Sequence, residues 1–173
     1  MVMAEATNHY FKHLGVSDGL SQVCIPSIYQ DELGAVWLGT TEGLNRYNGK
    51  DVKVFQPSES NHGLTNNEIN ELCGDKNGRM YIRSGNDLIK LDIYTEQFTC
   101  LRQKGVYGLF CKKDTLWVSC ADGIYYYTGQ GTELTFFARV QKGFVGRALY
   151  VDKETVWVVT RKYLVAISRE DPL

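Results

Sequence analysis

The chain has 173 residues, enough for one domain with a sizeable hydrophobic core. Its 19 lysines and arginines balance 20 aspartates and glutamates, which argues against a general nucleic-acid binder, since such proteins need a surplus of basic residues. The start, MVMAEATNHYFKHLG, has no apolar run of signal-peptide length, and no later segment approaches a membrane span. We therefore expect a globular chain that is either cytosolic or a mature start from which a signal was removed.

The first predicted element is a short strand at residues 9–14, HYFKHL. It stands apart from the repeated units that follow. We expect it either to close a ring by completing the last unit or to remain unpaired. The predicted segments are this N-terminal piece and four units, the last of which lacks an outer strand: 1–14, 15–60, 61–104, 105–140 and 141–173.

The first unit reads as a meander of four short strands. A strand at 22–30 leads into the turn QDELG, where Gly34 supplies a positive φ at no steric cost. The next strand, AVWLGT, alternates so that Trp37 and Gly39 share one face. The strand LNRY follows, and Asn-Gly at 48–49 is a strong hairpin signal before the last strand, DVKVFQ.

Three further units align with the first on an aromatic anchor residue. The anchors are spaced 44, 36 and 40 residues apart, and they are Trp37, Tyr81, Trp117 and Trp157. Each unit also carries an aspartate before a tight turn: Asp31, Asp75, Asp114 and Asp152. A four-stranded meander repeated about every forty residues is typical of a β-propeller blade. The sequence therefore predicts an all-β propeller of about four blades, with the anchors packed between neighbouring blades.

Three motifs carry a resemblance to a known family: GVSDGLSQ at 15–22, DELGAVWLGTTEGLNRYNG at 31–49 and HGLTNNEI at 62–69. They resemble the two-component-regulator propeller repeats. Such repeats form the periplasmic sensor region of sensor histidine kinases in Bacteroides-type hybrid two-component systems. Later units depart from that pattern, with Tyr81 in place of tryptophan and Arg83 in place of glycine.

The resemblance implies a periplasmic sensor region that usually has two seven-bladed propellers and a small β-sandwich. A membrane span, a histidine kinase core, a receiver and a DNA-binding module would follow it. The implied ligands are oligosaccharides, whose binding switches on polysaccharide utilisation genes. On this basis the chain is the amino-terminal part of a seven-bladed ring, and any kinase activity lies outside it.

The residues predict no catalytic site, no metal site and no cofactor. GTTEGL lacks the lysine of a phosphate-binding loop and does not open a helix. His9 and His13 flank a strand without a third ligand, and His62 is isolated. The positions of ligand-contacting residues stay open.

The five cysteines are odd in number and contain no CxxC pair, so we expect no disulfide framework: Cys24, Cys73, Cys100, Cys111 and Cys120. We expect buried and inert thiols, at least one of which is free or paired between chains.

Two alternatives to a sensor stay open. The first is a protein-interaction propeller scaffold without a small ligand. The second is a sialidase-like, glycan-cleaving propeller, which would need an arginine cluster drawn from different blades: Arg46, Arg83, Arg147 and Arg161. We expect Arg83 and Arg161, which break the repeat, to be solvated or paired between blades.

The expected partners follow from the same reasoning. An oligosaccharide is the expected ligand, and this fragment is expected to bind no nucleic acid. An isolated partial ring leaves apolar faces and blade edges uncovered, so we expect self-association as a homodimer. Membrane contact would come only through segments downstream of this chain.

Overall fold

Four antiparallel sheets account for the architecture of the chain. The computed structural model describes residues 12–58, 63–139, 146 and 148–170. Within them lie one short 3₁₀ helix, Val16–Asp18, and the strands β1 (Ser27–Gln30), β2 (Val36–Thr40), β3 (Gly43–Tyr47), β4 (Val52–Phe55), β5 (Ile69–Gly74), β6 (Arg79–Ser84), β7 (Asp87–Asp92), β8 (Gln97–Arg102), β9 (Val106–Lys112), β10 (Thr115–Cys120), β11 (Gly123–Tyr127), β12 (Thr135–Arg139), β13 (Ala148–Val151), β14 (Thr155–Val159) and β15 (Leu164–Ser168).

Each sheet is a meander in which consecutive strands pair. The spatial orders are β1-β2-β3-β4, β5-β6-β7-β8 and β9-β10-β11-β12, and β13-β14-β15 form the fourth sheet in the described part of the chain. The predicted all-β propeller with four sheets is confirmed. The four sheets fall inside the four predicted units. The predicted strand at 9–14 lies partly outside the described residues, and its described part, 12–14, is not in a strand.

The first strands of the sheets lie nearest the common axis. β1 lies beside β5, β5 beside β9, and β9 beside β13, whereas β13 and β1 make no comparable contact in the described residues. The four sheets therefore form an open arc of blades. An open arc has two terminal sheets, each with one face that no blade in the arc covers.

The hydrophobic core is divided among the three interfaces between neighbouring sheets. Fully buried Trp37 packs with Ile69 of the second sheet in one cluster. Fully buried Tyr81 packs with Leu116 of the third sheet, and its ring meets that of Tyr127 edge-on at 6.0 Å between centroids. Trp117 packs with residues of the fourth sheet. The predicted role of the first three anchors, which is to pack between blades, is confirmed.

Gly34 and Gly39 have separate backbone roles in the first sheet. Gly34 lies in the β1–β2 turn with φ at 84°, as the turn prediction requires. At Gly39 a Cβ atom would lie 2.9 Å from the carbonyl oxygen of Ile69, so a side chain there would force the first two sheets apart. The glycine after the anchor thus permits the close approach of β5.

The carboxylate of Asp31 ties the first turn to its anchor. Oδ1 accepts hydrogen bonds from the backbone N–H groups of Leu33 at 3.0 Å and Ala35 at 2.9 Å, and Oδ2 accepts one from Trp37 Nε1 at 2.7 Å. Asp31 is buried, so these three bonds satisfy donors that water cannot reach. One side chain therefore fixes both the turn and the orientation of the indole.

The same device recurs in the second and fourth sheets. Asp152 accepts a hydrogen bond from Trp157 Nε1 at 2.9 Å, which is the main reason that its pKa lies below the ordinary value. Asp75 accepts one from the hydroxyl of Tyr81 at 3.5 Å and also forms an ion pair with Arg79. The aspartate and its aromatic anchor form one structural unit in all three sheets.

The third sheet differs from the predicted repeat. Lys112 pairs directly with Thr115, so the β9–β10 turn has two residues and Asp114 lies within it. Asp114 is exposed and accepts a hydrogen bond from the side-chain amide of Asn77 in the neighbouring sheet. The alignment of Asp114 with Asp31 was wrong, because Asp31 precedes its turn and Asp114 lies within one. Lys112 is the residue that precedes the third-sheet turn.

Replacement of Asp31 by alanine tests this account. Asp31→Ala leaves three N–H donors without their acceptor, and we expect it to cost about 3 kcal/mol or more of unfolding free energy, measured by urea denaturation. Asp114→Ala is the matched control and should change that free energy by less than about 0.5 kcal/mol. An equal loss of unfolding free energy in the two variants would contradict the conclusion that Asp31 holds its turn and anchor whereas Asp114 does not.

Candidate functional site

The end of the arc that carries the β2–β3 and β6–β7 hairpins holds a buried polar network. Ser21 N donates to Asn45 Oδ1 at 2.8 Å, and Asn45 Nδ2 donates to Ser21 Oγ at 2.8 Å. The hydroxyls of Ser21 and Thr40 lie 2.9 Å apart. This network fixes the Gly-Leu-Ser lead-in on the hairpin of its own sheet.

The second sheet builds the same junction with other residues. Ser84 stands where Thr40 stands in the first sheet, because each pairs across the tip of its hairpin. Its hydroxyl donates to the carbonyl of Asn66 at 2.8 Å and accepts from the N–H of Asn66 at 3.0 Å. Short loops at this end of the arc are therefore held rigidly, as binding loops on a scaffold require.

A polar group lies at this same end, and we call Asn70 and Glu71 of β5 and Arg83 of β6 the axial polar group. Arg83 Nε donates to Glu71 Oε2 at 3.3 Å, and Arg83 Nη1 donates to the carbonyl of Gly85 at 3.2 Å. Asn70 Nδ2 donates to the same carbonyl at 3.2 Å. An amide, a carboxylate and a guanidinium thus meet beside the axis.

Glu71 connects this group to the next blade. Its Oε2 accepts a hydrogen bond from the backbone N–H of Leu109 in β9 at 3.1 Å. Burial raises the pKa of the Glu71 carboxyl above its ordinary value, and the charge of Arg83 and the bond from Leu109 only partly oppose that rise. Arg83 was expected to be solvated or paired between blades, but its ion pair with Glu71 lies within the second sheet, and only Glu71 reaches the next blade.

Arg83 also occupies the position that Gly39 has in the first sheet, two residues after the anchor. In the first sheet this position lets Ile69 approach closely. In the second sheet the Arg83 guanidinium instead bonds to Glu71 and to the carbonyl of Gly85. The departure from the repeat at Arg83 is therefore the sequence signal that leads to the axial polar group.

Arg46, another arginine considered for a glycan-cleaving site, has a different partner from Arg83. Arg46 pairs with Glu96 of the second sheet at 3.2 Å and lies over the ring of Trp37. Arg161 is exposed in the loop between β14 and β15, and Arg147 lies outside the described residues. Arg46 and Arg83 therefore serve two different carboxylates.

The described residues hold no group of three histidine, cysteine or acidic side chains that could bind a metal ion. His13 is exposed, and His9 and His62 lie outside the described part of the chain. No helix in the described ranges has the length and apolarity of a membrane span.

The cysteines differ in their environments. Cys120 is buried and its pKa is raised to about 12 by burial, in line with an inert thiol. Cys24 is exposed, so the expectation that all five thiols are buried is wrong at this position. Cys73 and Cys111 lie side by side between two sheets.

The last sheet presents an uncovered apolar surface, which we call the Trp157 face and define as Tyr150, Trp157, Val159 and Leu164. These residues line a shallow depression, and Leu164 is 64 % exposed. Trp157 is half-buried, unlike Trp37 and Tyr81. In the described part of the chain no neighbouring blade covers the fourth anchor, as expected for the end of a partial ring.

Comparison with known proteins assigns the repeat. Residues 19–42 match the family model described as two component regulator propeller. The match lies in the first sheet and the segment before it. The match runs from the Gly-Leu-Ser lead-in through Asp31 and Trp37 to the β2–β3 hairpin. It includes the aspartate–anchor unit and Ser21 and Thr40 of the buried polar network, and Asn45 lies just beyond it. The resemblance inferred from the motifs is confirmed.

One relative of this chain is named as a histidine kinase. Over 53 residues the chain is 40% identical to histidine kinase P4 of Formosa agariphila, a match that covers 31% of this chain and 4% of that protein. The chain thus spans only a small part of the kinase it matches.

Solved structures share the fold of this propeller segment. The BT3049 extracellular domain of B. thetaiotaomicron, named as part of a hybrid two-component system, superposes with a TM-score of 0.79 at 22% identity, covering 92% of this chain and 25% of that chain. The extracellular domain of BT4673 from the same organism gives a TM-score of 0.67 at 21% identity, covering 86% of this chain and 21% of that chain. Our chain corresponds to about a quarter of such a domain or less.

The pH dependence of stability tests the burial of Glu71. The pKa of Glu71 is raised in the folded state, so its protonated form stabilises the fold. This stabilisation is complete at a pH below the ordinary carboxyl pKa, and it is lost as the pH rises through the pKa of the folded state. The side chain of the Glu71→Gln variant does not ionise, so the variant has no such loss of stability. The melting temperature of this variant should therefore rise relative to wild type as the pH rises above the ordinary carboxyl pKa of about 4.

Glu68→Gln is the control for this measurement, because Glu68 is exposed and lies three residues away. Its melting temperature should follow that of wild type at every pH. If the melting temperatures of Glu71→Gln and wild type changed with pH in parallel, the Glu71 carboxyl would have the same pKa in the folded and unfolded states, which would contradict the prediction.

Proposed function

We propose that this chain is a non-enzymatic part of a propeller in the periplasmic sensor region of a hybrid two-component signalling protein. The observation that carries the proposal is the match of residues 19–42 to the regulator propeller repeat, in which Ser21 of the lead-in contacts Thr40 of the hairpin. The relative named as a histidine kinase and the neighbours named as extracellular domains support it. The kinase and the other signalling modules would lie in parts of the protein outside this chain, and further blades would complete a seven-bladed ring.

The proposed ligand is an oligosaccharide, and the axial polar group is the proposed contact site. Sugar hydroxyls can donate to the Glu71 carboxylate and accept from the Arg83 guanidinium or the Asn70 amide. Asn70 and Glu71 lie on the inner strand β5 and Arg83 on the neighbouring strand β6, at the end where rigid loops converge. That placement fits the use of loops at one end of a scaffold for binding.

Thermal melting of the intact sensor region that contains this chain tests the ligand. A glycan from a broad panel should raise the melting temperature, because a ligand that binds only the folded state stabilises it by about 2.7 kcal/mol at 100 times its Kd. Asn70→Ala removes one hydrogen-bonding group and should lower the affinity for that glycan by about tenfold. The matched control is Asn66→Ala, which keeps the backbone bonds to Ser84 and should bind as wild type does.

Two outcomes would overturn parts of this proposal separately. If no glycan raises the melting temperature and a protein partner is recovered instead, the chain belongs to an interaction scaffold. If a glycan binds and Asn70→Ala leaves its affinity unchanged, the sensor role stands but the axial polar group does not contact the ligand.

We also propose that the isolated chain forms a homodimer through the Trp157 face. The equivalent faces around Trp37, Tyr81 and Trp117 are each covered by a neighbouring sheet, and this one is open. In the isolated chain a second copy is the available cover, whereas in the whole protein another blade would take that place. Burial of apolar area would drive the association.

Light scattering on the isolated chain tests self-association. Wild type should have the mass of a dimer, and Val159→Glu should shift it to a monomer because a charge would be buried in the contact. Tyr94→Glu places a charge on an exposed residue of the second sheet and should leave the dimer intact. A wild-type monomer at all concentrations would refute the proposed contact.

A further inference from the structure

Cys73 and Cys111 meet at the interface between the second and third sheets. Cys73 lies on β5 and Cys111 on β9, the first strands of their sheets, and these two strands lie side by side. The two sulfur atoms are 2.6 Å apart. The residues are 38 positions apart in sequence, so the packing of the two blades brings them together.

The surroundings of the pair are apolar. Both residues pack against the buried cluster that contains Tyr81, Leu109 and Leu116. Burial raises the pKa of the Cys73 thiol well above its ordinary value, so little thiolate forms there once the blades have packed. A covalent bond between the sulfurs would form most readily while the blades assemble.

The other three cysteines are placed differently. Cys24 is exposed in the segment before β1, Cys100 lies on the outer strand β8, and Cys120 lies on β10. None of them shares the junction of two inner strands. The position of Cys73 and Cys111 therefore distinguishes this pair from the rest.

We propose that Cys73 and Cys111 form a disulfide bond that joins the second and third blades when the chain folds in the presence of a thiol–disulfide exchange partner. One thiolate attacks the disulfide of the partner, such as oxidised glutathione, and releases one reduced thiol. The other cysteine then attacks the mixed disulfide and releases the second thiol. The two cysteines lose two protons and two electrons, and the partner is reduced to two thiols.

Such a bond would limit movement between the two inner strands that flank the axial polar group. Glu71 lies two residues before Cys73, and its partner Leu109 lies two residues before Cys111. The proposed disulfide would thus keep the Glu71–Leu109 contact in register. The inference does not depend on the proposed sensor function, because the bond can be formed and measured in purified protein.

Refolding the chain in a mixture of reduced and oxidised glutathione tests the proposal. We expect the product to be lighter by two hydrogen atoms, three of its five cysteines to react with a maleimide after unfolding, and digestion to yield one cross-linked peptide containing Cys73 and Cys111. Five reactive thiols, or a cross-link between any other pair, would overturn it.

Variants separate the disulfide from effects on packing. Cys100→Ala should retain the cross-link, and Cys73→Ala and Cys111→Ala should each lose it. Reduction should lower the melting temperature of wild type and Cys100→Ala by roughly 5–15 °C and leave that of Cys73→Ala unchanged. Equal melting temperatures for oxidised and reduced wild type would show that the bond does not constrain the blades.

Discussion

The hydrogen bond between an aspartate carboxylate and an aromatic anchor is the interaction on which this arrangement of blades depends. Asp31 holds the indole of Trp37 from within its own sheet, and the indole then packs into the core shared with the second sheet. A single short meander cannot bury both of its faces, so each blade needs its neighbour. The polar contact within a blade therefore determines where the apolar contact between blades can form.

The sequence predicted the parts of the fold that follow from local chemistry. The positive φ of Gly34, the hairpins and the burial of Trp37 all follow from residue types that permit few alternatives. The prediction was wrong at Asp114, because an aspartate near a turn does not by itself reveal how many residues the turn contains. Turn length depends on the pairing of the flanking strands, and that pairing is a property of the whole sheet.

The axial polar group could be predicted only in part. Arg83 was visible as a departure from the repeat, since it replaces a glycine that allows close packing. The sequence did not reveal its partner Glu71, because Arg83 and Glu71 lie on separate strands. It did not reveal the bond between Glu71 and Leu109 either, because these residues lie in separate blades. The meeting of Cys73 and Cys111 escaped prediction for the same reason: no spacing rule connects cysteines 38 residues apart.

The bond from Trp157 to Asp152 has a consequence for how a neighbour would dock on the fourth blade. A free tryptophan side chain samples several rotamers, and fixing it on contact opposes association through lost entropy. Asp152 already holds this indole in one orientation while its outer face is open. An incoming blade would meet a preorganised surface, so its docking need not order the anchor, and a propeller of such units can grow one blade at a time.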